Sequence, residues 1–197
     1  MKLRFLGATG TVTGSKYLLS HQAADGSAKQ ILIDCGLFQG LKQLRLRNWA
    51  DLPIDPRAID AVVLTHAHID HSGYLPLLVK HGFSGKVYCT PATRDLCEVL
   101  LLDSAHLQEE EARYANKNSF SKHNPALPLY STEDAQNALA LLEPITYDKD
   151  LDLCAGLTLR LAPSGHILGS AFVRIHSKKT SILFSGDIGR PHDILMK

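Results

Sequence analysis

The sequence has no long hydrophobic run. No apolar stretch approaches the roughly 20 residues that a transmembrane helix needs, and the apolar part of residues 1–7 is too short for a signal peptide. These absences argue against a membrane-spanning or exported protein, so we expect a cytoplasmic location and no membrane partner. With 197 residues, the chain is long enough for one domain with a sizeable core.

The chain also lacks an excess of charge of either sign. It has 21 Lys and Arg against 20 Asp and Glu, which gives a formal net charge of +1. A protein that binds nucleic acid with its own surface usually carries a basic excess. If the substrate is a nucleic acid, we therefore expect metal ions or groups outside this chain to hold much of it.

Cysteine pairs and nucleotide-binding glycine motifs are missing as well. The four cysteines form no CxxC pair, which argues against a zinc site built from thiolates. We expect them to be reduced and buried, with disulfides as a minor alternative. The absence of a P-loop and of a GxGxxG motif disfavours the common nucleotide-binding folds. The cysteines are Cys35, Cys89, Cys97 and Cys154.

What the sequence does contain is a dense cluster of metal-ligating side chains at residues 66–71. It follows a predicted buried strand at residues 59–64 and precedes a predicted helix at residues 74–81. Two histidines at spacing two, His66 and His68, can converge on one metal once the backbone turns. Asp70 and His71 are offset along that turn and indicate a second metal. Two metals roughly 3.5–4 Å apart suit displacement at phosphorus or at a carbonyl.

Further ligands are expected where other strands end beside glycines. His166 stands in a Ser-Gly-His sequence, and Asp187 stands in a Ser-Gly-Asp sequence after an apolar strand. An aspartate can bridge two ions through its two oxygens. Asp34, which also ends a strand, is better placed to accept a hydrogen bond from a ligand and orient it. The other histidines are expected to be surface or core residues: His21, His81, His106, His123, His176 and His192.

The order of predicted elements indicates a mixed α/β fold. A hairpin is predicted from residues 16–20 and 30–33, with Asp25-Gly26 as the turn signal. Helices are predicted at residues 41–49, at residues 91–116, and after the Ser131 cap as far as residue 142. Strands are also predicted at residues 2–7 and 86–90. The chain after residue 144 is predicted to be strand-rich, with strands at residues 145–147, 157–162, 171–176 and 181–184. There is no strict βαβ alternation of the dinucleotide-binding kind.

With these motifs in this order, the chain resembles the metallo-β-lactamase superfamily. The matching residues are Asp34, the HxHxDH sequence at residues 66–71, His166 and Asp187. A narrower resemblance is to the β-CASP branch, which contains RNA- and DNA-processing nucleases. It is carried by four segments, at residues 5–15 (FLGATGTVTGS), 33–36 (IDCG), 164–171 (SGHILGSA) and 184–190 (FSGDIGR).

The resemblance implies an αββα sandwich, two zinc ions and hydrolysis of phosphodiester bonds in RNA, with DNA as an open alternative. By position, one zinc would be held by His66, His68, His166 and Asp187. The other would be held by Asp70, His71 and Asp187. Our hypothesis for the nucleophile is a hydroxide that bridges the two metals and is oriented by Asp70. Ser15 and Ser170 are expected either to contact phosphate or to belong to tight turns.

In the β-CASP branch, the fourth motif is followed by an inserted domain and by a return of the chain to the lactamase core. The return brings a further histidine ligand. This chain stops at Lys197, ten residues after Asp187. The resemblance therefore implies that residues 1–197 are the first portion of a metallo-β-lactamase-like domain, incomplete at the C-terminus. We expect doubtful metal occupancy and little activity from this portion alone.

Two other function classes stay open on the sequence. One is a hydrolase of small substrates, such as thioesters or lactams, within the same superfamily. The other is a non-catalytic scaffold protein. The oligomeric state is also open, with self-association as one alternative.

Overall fold

The computed structural model describes residues 1–23, 26–154, 156–193 and 196. Their strands are β1 Lys2–Phe5, β2 Tyr17–Gln22, β3 Ala28–Ile33, β4 Ala61–Val63, β5 Lys86–Cys89, β6 Leu142–Pro144, β7 Asp150–Cys154, β8 Leu157–Pro163, β9 Ala171–His176 and β10 Ser181–Phe184. Their α-helices are α1 Lys42–Leu46, α2 Ile69–Ser72, α3 Leu75–Lys80, α4 Pro91–Asn118 and α5 Thr132–Leu139. Two short 3₁₀ turns span Arg47–Trp49 and Pro56–Ala58.

The strands form two sheets. The first has the order β1-β2-β3-β4-β5-β6 and the second has the order β10-β9-β8-β7. In the first sheet β1, β2 and β3 pair antiparallel, whereas β3, β4, β5 and β6 pair parallel. Parallel pairing brings the carboxyl ends of β3 and β4 to the same edge; Asp34 directly follows β3, and Thr65 follows β4 after Leu64. That edge is where the candidate ligands lie.

Alternation along the central strands divides the core into two layers. Ile31 and Ile33 of β3 pack toward the second sheet, in a cluster with Leu159 and Val173. Leu32, between them, points the other way into a cluster with side chains of α3, α4 and α5. The described residues therefore form one helical layer and two sheets, which is the α-β-β part of the predicted αββα sandwich. The predicted fold class is confirmed.

Most predicted elements are present, with differences at their ends. The bounds predicted for β9 and β10 agree with the structure. The strand predicted at residues 145–147 is wrong, because β6 lies at Leu142–Pro144, where Leu142 pairs with Val87 of β5. The preceding helix accordingly ends at Leu139 rather than at residue 142. Strand β7 was not predicted. The predicted turn residue Asp25 lies outside the described residues.

The long helix α4 spans 28 residues, but it is largely polar after Ala105. Within the part of the chain that the structure describes, no helix combines the length and apolar character needed to span a bilayer.

Candidate metal centre

The HxHxDH segment is built as a strand end followed by a single helical turn. β4 ends at Val63, and α2 begins at Ile69, which leaves His66 and His68 on the connecting loop. The carbonyls of three consecutive α2 residues accept backbone N–H groups from elsewhere: Ile69 from Leu37, Asp70 from Ser15, and His71 from Cys35. These bonds satisfy the carbonyls that a short helix leaves free. They fix Asp70 against the loop between β1 and β2, and Ile69 and His71 against the loop that follows β3.

The other two candidate ligands come from the second sheet. His166 lies on the loop between β8 and β9, and Asp187 follows β10. The Ser164 hydroxyl donates to the Asp187 carbonyl at 3.0 Å, and the amide of Gly189 donates to the Ser164 carbonyl at 2.9 Å. The amide of Ala171 donates to the Thr65 carbonyl at 2.8 Å. The two loops are thus held together and tied to the HxHxDH loop.

Four ligand side chains converge where these loops meet. His68 Nδ1 lies 3.0 Å from His66 Nε2 and 3.2 Å from His166 Nε2. Asp187 Oδ2 lies 3.4 Å from His166 Nε2 and 3.8 Å from His66 Nε2. Every ligand atom of this group lies within 4.8 Å of the others. A metal–nitrogen distance of about 2.0–2.1 Å in a tetrahedral site separates the ligand atoms by roughly 3.3 Å, so the group fits one ion.

A second set of side chains adjoins the first through Asp187. His71 Nε2 lies 3.4 Å from Asp187 Oδ1 and 3.9 Å from Asp70 Oδ2. The two oxygens of Asp187 thus face different histidines, since Oδ2 faces His66 and His166. If two ions were bound here, a carboxylate in this position could contact both of them.

Asp34 lies behind His71 and is fully buried. Its carboxylate is 2.7 Å from His71 Nδ1 and accepts hydrogen bonds from the Ser15 hydroxyl at 3.0 Å and the Thr65 amide at 2.8 Å. The Thr65 hydroxyl lies 2.9 Å from the same carboxylate. With Nδ1–H donating to Asp34, the lone pair of His71 Nε2 is free to face Asp187 and Asp70.

Burial and neighbouring charges shift the pKa values of the histidines in this centre in different directions. Burial, and then the neighbouring histidines, lower the pKa of His66 to about 2. Burial and His166 also lower the pKa of His68. Burial lowers the pKa of His71 too, but the hydrogen bond to Asp34 and the charges of nearby carboxylates outweigh it and raise that pKa overall. His66 and His68 are therefore neutral near pH 7, which is the form that binds metal.

The two serines expected near phosphate are engaged inside the protein. Ser15 is 3% exposed and donates to Asp34, whereas Ser170 is 2% exposed and its hydroxyl accepts the amides of His166 and Ile167. These contacts favour the tight-turn alternative. Contact of either hydroxyl with phosphate stays a prediction.

Several residues that organise the centre were not singled out from the sequence. The hydroxyls of Thr90 and Thr93, at the start of α4, donate to the Gly169 carbonyl at 2.7 and 2.9 Å and anchor the His166 loop. A Cβ at Gly36 would lie 1.6 Å from the Asp70 carbonyl oxygen. The position of Thr65 directly after a strand that delivers ligands was the one available signal. The contacts of Thr90 and Thr93 span more than 70 residues of chain and leave no local pattern.

This structure has two packed sheets with a group of three histidines and one aspartate at their rim, which is the arrangement of a metallohydrolase fold. Residues 24–197 match the metallo-beta-lactamase superfamily domain. The chain belongs to this superfamily, as the motifs predicted.

Similar proteins include the ribonuclease TTHA0252 of Thermus thermophilus. It is 38% identical over 196 residues, which cover 99% of this chain and 40% of that protein. The transcription termination factor FttA of Methanococcus maripaludis is 33% identical over 191 residues, which cover 95% of this chain and 27% of that protein. The chain thus spans less than half of these relatives. Their names fit the β-CASP branch to which the sequence motifs pointed.

Solved structures support the fold. A metallo-beta-lactamase of Cronobacter sakazakii with a HARLDQ motif aligns with a TM-score of 0.55 at 18% identity, covering 96% of this chain and 61% of that one. The protein YhfI of Bacillus subtilis aligns with a TM-score of 0.55 at 15% identity, covering 94% and 61%.

Proposed function

We propose that this chain is the metal-binding core of a hydrolase that cleaves phosphodiester bonds in RNA. The observation that carries the proposal is the convergence of three histidines and one aspartate, namely His66, His68, His166 and Asp187. The chain that contains them is 38% identical to a ribonuclease, and this match covers 99% of the chain. DNA is the alternative substrate of the same chemistry. The RNA-acting relatives also support a cytoplasmic location.

The metal we propose is zinc, because nitrogen and carboxylate donors in a compact four-ligand group suit it. His66 Nε2, His68 Nδ1, His166 Nε2 and Asp187 Oδ2 would hold one ion. Asp70, His71 and the second Asp187 oxygen would contribute to another. Metal ions bound here would lower the pKa of water and neutralise charge on phosphate oxygens.

The protein's own side chains would position the reacting groups. Asp34 holds His71 in the tautomer whose Nε2 lone pair faces the centre. The Asp70 side chain is 23% exposed, so it can reach a water molecule as well as a metal. A cavity of about 430 Å³ opens beside His71 and Asp187 and gives access to this side of the centre.

The test is RNA cleavage by the full-length natural protein and by its Asp70→Asn variant. We expect activity to fall by at least about 100-fold, in the range found for groups that act directly at a reacting centre, with an unchanged thermal unfolding temperature. Asp103→Asn, at an exposed position on α4, is the matched control and should keep full activity. Cleavage by Asp70→Asn at the wild-type rate would contradict the assignment. Hydrolysis of a thioester or lactam by the wild-type protein, without hydrolysis of RNA, would contradict the proposed substrate.

A further inference from the structure

An apolar groove lies between two parts of the chain that the metal centre does not use. One wall is formed by residues 41–50, which contain α1 and the 3₁₀ turn Arg47–Trp49. The other wall is formed by residues 114–130, which contain the end of α4 and the loop that follows it. The groove has a volume of about 650 Å³ and is lined by Leu46, Trp49, His123, Pro125 and Leu127, among others. We call it the Trp49 groove.

Exposed aromatic side chains are concentrated in these two segments, and of them Trp49 lines the groove itself. Trp49, the single tryptophan of the chain, is 59% exposed, and Tyr114 and Phe120 are 62% and 72% exposed. Tyr114 and Phe120 contact each other edge to face, with ring centroids 5.9 Å apart. The last buried residue of α4 is Ala105, so the end of the helix extends past the core and carries these rings into solvent. Exposed rings of this kind form stacking platforms for unpaired nucleobases.

The charge of the two segments is one-sided, although the chain as a whole is balanced. Their basic side chains lie outside the groove's own lining: Arg45 lines the adjoining cavity, and the Arg47 guanidinium packs over the Phe38 ring at 4.1 Å. Residues 41–50 and 114–130 contain five basic residues and no acidic residue. The five are Lys42, Arg45, Arg47, Lys117 and Lys122. Glu111 of α4 borders a smaller adjoining cavity of about 330 Å³, opposite Arg45. Basic residues interleaved with exposed aromatic rings favour a polyanion whose bases can stack.

The side chains of two asparagines hold the walls in place through hydrogen bonds to the backbone. Asn48 accepts the Phe38 amide and donates to the Phe38 carbonyl, both at 2.8 Å. Asn116 accepts the Ala126 amide at 2.7 Å and donates to the Ala126 carbonyl at 2.9 Å. Each asparagine thus fixes a segment through a pair of hydrogen bonds, which makes the groove a preformed site.

The Asn48 pair also connects the Trp49 wall to the metal centre. Phe38 belongs to the loop that begins at Asp34, and the neighbouring Leu37 amide donates to the Ile69 carbonyl of α2 at 2.9 Å. The wall that carries Trp49 is therefore anchored to the same loop whose amides bind the carbonyls of Ile69 and His71 in α2. A strand held at the groove would have a defined position relative to the centre.

We propose that the Trp49 groove and the two segments that border it bind single-stranded RNA outside the metal centre, with bases stacked on Trp49 in the groove and on Phe120 beside it, and phosphates near Arg45 and Lys122. The choice of RNA rests on the proposed nuclease function. The groove itself rests on separate residues, none of which is a candidate metal ligand.

The test measures binding of a fluorescently labelled single-stranded RNA of about 15 nucleotides to the full-length natural protein, in the Asp70→Asn background to suppress cleavage. Loss of one stacked base weakens binding by about 5- to 160-fold, and we expect losses in this range for Trp49→Ala and for Phe120→Ala. The double variant Arg45→Ala/Lys122→Ala should reduce the slope of log K against log salt by about 1.4, since each single-strand phosphate contact contributes about 0.7. Val99→Ala, at an exposed site on α4, and Lys178→Ala/Lys179→Ala, in the exposed β9–β10 turn, are matched controls and should bind RNA like the parent.

Wild-type RNA affinity in both aromatic variants would overturn the proposal. So would a change in sedimentation or in capture of a protein partner by Trp49→Ala without a change in RNA affinity, because that result would assign the groove to a protein. The two proposals fail separately. RNA binding that depends on Trp49 in a protein without nuclease activity contradicts only the proposed function, and cleavage without any dependence on Trp49 contradicts only the groove.

Discussion

Asp34→Asn is the substitution that most sharply probes how the centre is assembled. Asp34 has a positive φ of 57°, a conformation that asparagine tolerates, so the backbone can stay as it is. An asparagine oxygen can still accept the Thr65 amide. Its amide group, however, would face the Ser15 hydroxyl and His71 Nδ1 with hydrogens where the carboxylate had lone pairs.

The predicted consequence is a change in the tautomer of His71. If Nδ1 must accept a hydrogen bond, the ring proton moves to Nε2 and removes the lone pair that faces Asp187 and Asp70. Loss of such a supporting hydrogen bond typically costs 10- to 100-fold in metal affinity. We expect this loss for one equivalent of metal. The stability should fall by about 1–3 kcal/mol, because a charge-assisted hydrogen bond in a buried site is replaced by a weaker one.

The assay is a competitive zinc titration with a chromophoric chelator, combined with urea unfolding of the metal-free protein. Asp60→Asn is the matched control, because Asp60 accepts hydrogen bonds from Lys29 Nζ at 2.8 Å and the Gln30 amide at 2.7 Å at the opposite end of β4. The control should lose stability without losing metal affinity. Wild-type zinc affinity in folded Asp34→Asn would refute the role of Asp34 in orienting His71.

Two further substitutions test other parts of the structure. Gly36→Ala places a Cβ 1.6 Å from the Asp70 carbonyl oxygen, and we expect the free energy of unfolding in urea to fall by about 3 kcal/mol. In the control Gly10→Ala, the new Cβ has no atom within 4 Å, so only the positive φ should cost stability, by about 1 kcal/mol. Equal losses in the two variants would contradict the close approach of Gly36 to Asp70. Burial lowers the pKa of Lys16 from 10.5 to about 8. Below pH 8 the charged lysine is therefore less stable in the folded protein than in the unfolded chain, which lowers the stability of the fold. As the pH rises from 8 to 10.5, the folded protein loses this proton before the unfolded chain does, and the stability increases. The stability of Lys16→Met relative to wild type should therefore fall by up to about 3 kcal/mol between pH 7 and pH 10.5, and a pH-independent difference would contradict the buried, shifted lysine.

The parts of the fold that could be predicted are those where the local pattern and the tertiary environment agree. β9 alternates buried side chains with partly buried or exposed ones along its length, and its predicted bounds match the structure. β6 is different, because apolar side chains occur on both sides of Glu143 in residues 141–147 and do not mark where the strand begins or ends. Its position depends on pairing with β5, where the Val87 amide donates to the Leu141 carbonyl. The pattern of one sequence does not show which strand β6 pairs with.

The same limit applies to the centre. His66 and His68 could be grouped from their spacing, and Asp34, His166 and Asp187 from their positions at strand ends beside glycines. The contacts that hold them could not, because Thr90 and Thr93 meet Gly169 only when the two sheets pack. The Trp49 groove had no sequence signal of its own either. Residues 41–49 are predicted as one helix, whereas in the structure α1 ends at Leu46 and Trp49 lies in a 3₁₀ turn.

The most direct test of the central claim is anomalous X-ray diffraction at the zinc edge from crystals of the full-length natural protein loaded with zinc. The account predicts an anomalous peak about 2.0–2.2 Å from His66 Nε2, His68 Nδ1, His166 Nε2 and one oxygen of Asp187. A zinc ion bound by a different set of residues, or no peak among these four side chains under saturating zinc, would contradict it.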